Sequence, residues 1–188
     1  MVMSRIFDIG NARLNRLVHE TLRPQSGDHI LDLGCGTGKL IHRIASYTDN
    51  CVVEGLDFSE TMVTIARRKN QAHILKGKVL IHRGNVDNMP FQAETFTKIC
   101  SVNTIYFWED LQASSRRILR LLKPGGKLVL GFEGRAQMQQ RRLDPNVFRT
   151  YATTEVAAIL RNTGSAQDVA TRSIEVGSSS FHCTVAAR

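Results

Sequence analysis

Three glycines at alternate positions, Gly34, Gly36 and Gly38, stand between two different periodicities in this 188-residue chain. Before them lies a short apolar run, His29 to Leu33, of strand length. After them Leu40, Ile41 and Ile44 recur at helical spacing. A strand that turns through glycines directly into a helix is the start of a βαβ unit. In an open α/β sheet, ligands sit beyond the carboxyl ends of the strands. Glycine lets the backbone turn there with positive φ and come close to a ligand, because it has no Cβ. This one stretch therefore implies both an architecture and the end of the sheet that binds.

The same alternation continues along the chain. Cys51 to Leu56, Lys78 to His82, Lys98 to Val102 and Lys127 to Phe132 read as strands two to five. Ser59 can cap a helix carrying Met62, Ile65 and Ala66 on its inner face. Another helix, Asp110 to Leu122, buries Leu111, Ile118, Leu119 and Leu122 and stops at the turn signal Lys123-Pro124-Gly125-Gly126. Gly134 to Phe148 is polar and basic and reads as a loop or short helix. Thr154 can cap a helix bearing Val156, Ile159 and Leu160 that ends near Gly164. Val169 to Val176 and Phe181 to Ala186, joined by Gly177-Ser178-Ser179-Ser180, read as an antiparallel pair. Ahead of everything, Phe7 to Leu22 reads as an amphipathic helix with the stripe Leu14, Leu17 and Val18, ended by Arg23-Pro24. Strands joined by helices predict a parallel α/β sheet in a single domain over 1–188.

Composition narrows the class further. With 42% hydrophobic and 22% charged residues the chain can build a globular core. No apolar run is long enough to span a bilayer. The first residues, MVMSRIFDIGNARLNR, lack the apolar core and cleavage site of a signal peptide, which gives the cytoplasm as the default address. Cys35, Cys51, Cys100 and Cys183 are far apart and form no CxxC pair, so neither a zinc site nor a disulfide framework is expected. Cys35 reads as a small turn residue, since no general base is evident beside it. The formal charge of +8 favours acidic partners. However, Arg67, Arg68 and Lys69, like Arg116, Arg117 and Arg120, fall in amphipathic helices and read as solvated faces.

The glycine turn itself discriminates among nucleotide ligands. A P-loop needs GxxxxGK followed by a hydroxyl residue; Lys39 is in place, but Leu33 and Leu40 occupy the other positions. A dinucleotide fingerprint is GxGxxG, whereas Gly34-Cys35-Gly36-Thr37-Gly38 is GxGxG. Asp32 would repel a pyrophosphate but suits a cationic ligand carrying sulfonium and ammonium groups. Asp57, at the end of strand two, can accept hydrogen bonds from ribose hydroxyls, and its place at the carboxyl end favours it over Glu54.

With these residues in place, the chain resembles the class I S-adenosylmethionine-dependent methyltransferases, in particular the small methyltransferase-11 type related to quinone-biosynthesis C-methyltransferases. LDLGCGTGKL is similar to the first motif of that family. Gly55 to Arg67 resembles its second strand and helix, Gly84 to Phe91 its third-strand loop, and Leu121 to Leu130 its turn and fifth strand. The resemblance implies a Rossmann-like three-layer α/β/α sandwich, with a seven-stranded, mostly parallel sheet and an antiparallel C-terminal strand. It implies S-adenosylmethionine as cofactor, held by Asp32, Gly34, Cys35, Gly36, Thr37, Gly38, Asp57, Phe58, Asn85, Val86 and Asn103. In the third-strand loop the family usually places Asp directly after the glycine, to meet the adenine amino group; here Asn85 stands there, and its carbonyl can accept the same bond. Asp87 reads as a surface residue.

The acceptor side is less defined. In the resembled family the loop Ser101 to Trp108 faces the acceptor, with Asn103 and Thr104 nearest the cofactor. Tyr106 can wall an apolar pocket or pack under the next helix, and Trp108 reads as packing. Tyr106, Glu133, His82 and His182 are candidate bases, and no metal ligand set is expected. Residues 1–23 and 133–150 are the expected lid and acceptor-side loop, with Arg135, Arg141 and Arg142 on the latter. The acceptor is expected to be a small molecule, acidic or apolar. The alternatives are an RNA methyltransferase, from the charge, and a non-catalytic S-adenosylmethionine-binding protein.

Overall fold

The computed structural model describes residues 3–141, 143–144 and 147–188, with side chains from residue 12 onward. The elements run α1 (Met3–Leu22), β1 (His29–Leu33), α2 (Lys39–Tyr47), β2 (Val52–Asp57), α3 (Glu60–Lys69), α4 (Gln71–Leu75) and β3 (Val79–Arg83). They continue β4 (Phe96–Val102), α5 (Leu111–Leu121), β5 (Leu122–Glu133), α6 (Arg135–Gln140), α7 (Thr153–Arg161), β6 (Gln167–Val176) and β7 (Ser179–Ala187). The sheet order is β3-β2-β1-β4-β5-β7-β6. β1 to β5 pair in parallel, and β7 runs antiparallel to both β5 and β6. This is the expected three-layer sandwich with one antiparallel strand, and that strand is the last in the chain.

Alternation along each strand supplies both faces of the sheet with apolar side chains. On β1, Ile30 joins the layer with α1, α2 and α3, while Leu31 and Leu33 join the layer with α5 and α7. Both faces are therefore covered, as buried parallel strands require. Leu33 is level with Leu56 on β2 and with Ser101 on β4. After β1 the order reverses, because β2 lies on one side and β4 on the other. The glycine turn leaves the sheet at this switch point.

Several local expectations change. Leu14, Leu17, Val18 and Leu22 are all buried against the sheet and α2. Each such side chain contributes on the order of 1.5–3 kcal/mol, so Leu14 to Leu22 is a core element rather than a movable lid. Lys123 to Gly126 does not separate α5 from its strand; β5 begins at Leu122, and these residues bulge out between the pairs Phe96–Leu122 and Lys98–Lys127. Gly125 takes φ +75° in that bulge and donates its N–H to the Arg188 carbonyl at 2.8 Å. On α3, Val63 and Ala66 face the core, and Ile65 is exposed. The N-cap of α7 is Ala152, not Thr154; the Glu155 carboxylate accepts the Ala152 N–H at 2.8 Å in place of a side-chain cap.

The connection from β3 to β4 contains no helix. Beneath it, Glu54 accepts hydrogen bonds from His29 at 2.7 Å and His82 at 2.5 Å. Phe91 and Phe96 close over the imidazoles, with ring centroids 5.2 Å apart. The His29–Glu54–His82 ladder thus ties β1, β2 and β3 together, and it holds the Glu54 carboxyl below the usual range, chiefly through the His29 hydrogen bond. Among the described residues, no helix is long and apolar enough to cross a membrane.

Candidate functional site

The glycine turn is built by backbone bonds between β1 and β2. Gly34 and Cys35 both donate N–H to the Leu56 carbonyl, at 2.7 and 3.1 Å. Gly34, Gly36 and Gly38 have φ of +68°, +52° and +71°, where an L side chain is strained. Each glycine has a different reason to be there. A Cβ on Gly34 would overlap the Thr104 methyl. A Cβ on Gly38 would come within 2.6 Å of Asn70 Nδ2 and 3.0 Å of the Ala66 Cβ, so Gly38 lets α2 approach α3. Gly36 has nothing within 4 Å of a Cβ, and its turn leaves open space there.

Asp57 closes the turn from the side. Its Oδ2 accepts the Gly36 N–H at 2.8 Å, and its Oδ1 accepts the Ser59 N–H at 2.9 Å. Ser59 Oγ in turn caps α3 by accepting the Met62 N–H at 3.4 Å. Both carboxylate oxygens keep lone pairs for further donors.

Two cavities meet here. The larger, about 650 Å³, is lined by Gly34, Asp57, Phe58, Asn85, Val86 and Asn103, together with Met62, Thr104, Phe107, Trp108 and Phe148. The smaller, about 180 Å³, is lined by Asn15, Asp32, Cys35, Gly36, Thr37 and Lys39. Gly34, Met62 and Val102 belong to both linings. Of the expected cofactor residues, all but Gly38 line one or the other. Gly38 serves helix packing, and the buried Asn70 holds it by donating from Nδ2 to the Gly38 carbonyl at 3.2 Å.

The buried groups differ in chemistry. Asp32 is 2% exposed, and burial pushes its carboxyl up to about 7. The Cys35 thiol packs toward Gly55 behind the turn, and burial raises its pKa, which fits a packing residue and not a nucleophile. All four cysteines are free and buried.

The candidate bases lie outside both linings. Tyr106 is 1% exposed, and burial raises its phenol pKa. Its hydroxyl accepts the Glu133 N–H at 2.6 Å and donates to Asn103 Oδ1 at 3.1 Å, so the ring packs and braces the loop. The Glu133 carboxylate is buried on Arg141 at 2.5 Å and also receives Gln137. His182 bonds Ser173 Oγ at 2.8 Å beside Phe132. His82 belongs to the Glu54 ladder. Asp87 pairs with Arg117 at 3.2 Å on the surface, as expected. Asn85 Oδ1 accepts the Asp87 N–H at 3.3 Å.

The acceptor-side segment docks through Arg135, which bonds the Thr150 carbonyl at 3.2 Å and Glu155 at 2.5 Å. Arg142 lies outside the described residues. Trp108 both packs in the core and lines the cavity. The reading from sequence missed Asn15, Lys39, Met62 and Phe148, whereas Phe107 belongs to the loop Ser101 to Trp108 expected to face the acceptor and does line the larger cavity. Met62 had a signal, but helical spacing assigned it to the core stripe. Asn15 and Phe148 come from the segments expected as lid and acceptor-side loop, 1–23 and 133–150, but no local pattern singled out either residue.

Residues 30–126 match the family model described as a methyltransferase domain. The chain is 31% identical over 150 residues to an uncharacterized methyltransferase, YdaC, of Bacillus subtilis (strain 168), covering 80% of this chain and 77% of that protein. It is 34% identical over 104 residues to a demethylmenaquinone methyltransferase of Symbiobacterium thermophilum, covering 55% of this chain and 41% of that one. Beyond YdaC, the chain spans about half the length of the curated relatives it matches. An S-adenosylmethionine-dependent methyltransferase from Aquifex aeolicus shares the fold, with a TM-score of 0.74, 22% identity, and 93% and 89% of the two chains covered. With residues 30–126 matched to the domain and 80% of the chain aligned to YdaC, the chain belongs to the methyltransferase family that this domain defines.

Proposed function

We propose that this chain methylates an apolar, aromatic small molecule by direct in-line displacement. The observation that carries this reading is the junction at Gly34 of a small cavity lined by an acidic and a basic side chain with a larger aromatic-walled one. Asp32 and Lys39 both line the small cavity, and together they suit the ammonium and carboxylate of a methionine end. The space beside Gly36 and the Asp57 carboxylate suit a ribose, and Asn85 and Val86, in the lining of the larger cavity, suit an adenine. These residues fit S-adenosylmethionine, which when bound supplies a methyl group already activated on a sulfonium.

The protein's part is then to position and to exclude water. Phe58, Phe107 and Phe148 wall the larger cavity, and the Phe107 and Phe148 ring centroids are 5.0 Å apart. Among the described residues of that lining, Asp57 is the ionisable one, and it already receives two backbone N–H groups. The acceptor must therefore bring a nucleophile that ionises readily, as a phenol or hydroquinone does. The name of the demethylmenaquinone methyltransferase relative agrees with such an acceptor. The RNA alternative gains no support from the cavities, because Arg67 to Lys69 and Arg116, Arg117 and Arg120 stand exposed on helix faces away from both linings.

A labelled-methyl assay on purified protein tests this reading against panels of phenols, hydroquinones, amines and RNA. Turnover confined to phenolic acceptors supports it. Turnover on RNA alone would falsify it, and cofactor binding without turnover on any acceptor favours the non-catalytic alternative.

A further inference from the structure

Asp32 has unusual neighbours for a buried carboxylate. Its register partner on β4 is Cys100, and its partner on β2 is Gly55, over which the Cys35 sulfur packs. The carboxylate is therefore flanked by two thiols. Cys100 Sγ donates to Asp32 Oδ1 at 3.7 Å, and Asp32 in turn lines the small cavity. A thiol is a weak donor and compensates poorly for lost water. The charged group acting on Asp32 is Asp57 from β2; Lys39 from the start of α2 and Asn15 from α1 share the lining of the small cavity with it. Cys183 on β7 lies behind Cys100. Burial and the Asp32 charge push the Cys100 thiol well up, so it stays protonated and acts as a donor.

We propose that Cys100 is a positioning residue for Asp32, setting the pH at which that carboxylate can receive the ammonium group of S-adenosylmethionine, so that cofactor binding releases a proton. This rests on the methyl-donor reading above, with the methionine end in the small cavity. Desolvation favours the neutral acid before binding, consistent with a carboxyl pushed up to about 7. A cation in the small cavity favours the carboxylate, and the proton leaves. Below neutrality, binding then carries the cost of ionising Asp32, and affinity falls towards tenfold per pH unit.

The test is isothermal titration of the purified protein with S-adenosylmethionine between pH 5.5 and 7, in buffers of different ionisation heat. Affinity should fall about fivefold from pH 7 to pH 6, with most of one proton released per ligand bound at the acid end. Adenosine, which lacks the methionine end, should bind without this dependence. Cys100→Ser supplies a stronger donor and should move the midpoint to lower pH. Cys100→Ala removes the donor and should move it to higher pH. A purely packing role for Cys100 predicts weaker folding in both variants with the midpoint unmoved. Should the alanine variant not fold, the serine variant decides alone. PH-independent binding, or identical midpoints in wild type and Cys100→Ser, overturns the proposal and leaves the methyl-donor reading standing. No binding of S-adenosylmethionine at any pH overturns both.

Discussion

At the proposed donor end, most cavity-lining groups come from one short stretch of chain, Asp32 to Asp57, and backbone bonds hold them in place. Gly34, Cys35 and Gly36 are fixed by N–H bonds to Leu56 and Asp57. At the proposed acceptor end, Phe107, Trp108 and Phe148 come from two separate regions and meet only in the folded sheet. Ion pairs and the Tyr106 hydroxyl brace that end. The donor end is thus stiff and locally encoded. The acceptor end is a set of side chains that can be exchanged without disturbing the turn.

The sharpest way to break this contrast is at the junction. Gly34→Val would force a Cβ branch into Thr104 at φ +68°. It should cost about 3 kcal/mol or more, lowering the melting temperature and removing S-adenosylmethionine binding together. A variant that melts and binds like wild type would show that the turn is less rigid than its bonds indicate.

Asp57→Ala comes next. It removes the acceptor for two backbone N–H groups and, in the proposed reading, for a ribose, so cofactor affinity should drop about ten- to hundredfold, or ~1.4–2.8 kcal/mol. Unchanged binding by titration calorimetry would move the ribose away from β2.

Phe107→Ala tests independence of the two ends. The ring is 49% exposed and lines the larger cavity. Acceptor KM should rise about tenfold, while cofactor affinity stays within about twofold. If cofactor affinity falls equally, the two ends are one coupled site.

The smallest effect is expected beneath the donor end, at the Glu54 ladder. Its carboxyl is held below the usual range, first by the His29 hydrogen bond. Its stabilising contribution is complete above the ordinary glutamate range and is lost as pH falls through the lowered folded-state value. Glu54→Gln should therefore cost about 0.5–1 kcal/mol at neutral pH. In urea melts, the gap to wild type should close in acid.

Legibility followed the same division. The strands and the place of Asp32, Gly34, Gly36 and Asp57 at their carboxyl ends were readable because each depends on neighbours in sequence. Lys123 to Gly126 misled, since the same Pro-Gly-Gly signal serves a turn or a bulge, and only the Arg188 contact decides. Tyr106 and Glu133 resemble catalytic groups in sequence, but burial turns both into supports. Gly38 resembles a ligand-contacting glycine until Asn70 and Ala66 appear beside it.

The sequence by itself determined the βαβ alternation, the binding end of the sheet and the acidic character of the donor site. Periodicity, turn chemistry and charge act over a few residues and leave direct marks. Tertiary structure alone decided that Cys100 stands beside Asp32, that Phe148 lines the larger cavity, and that none of Tyr106, Glu133, His82 and His182 does. Those facts depend on strand register and on which distant side chains share a face, and no local pattern records them.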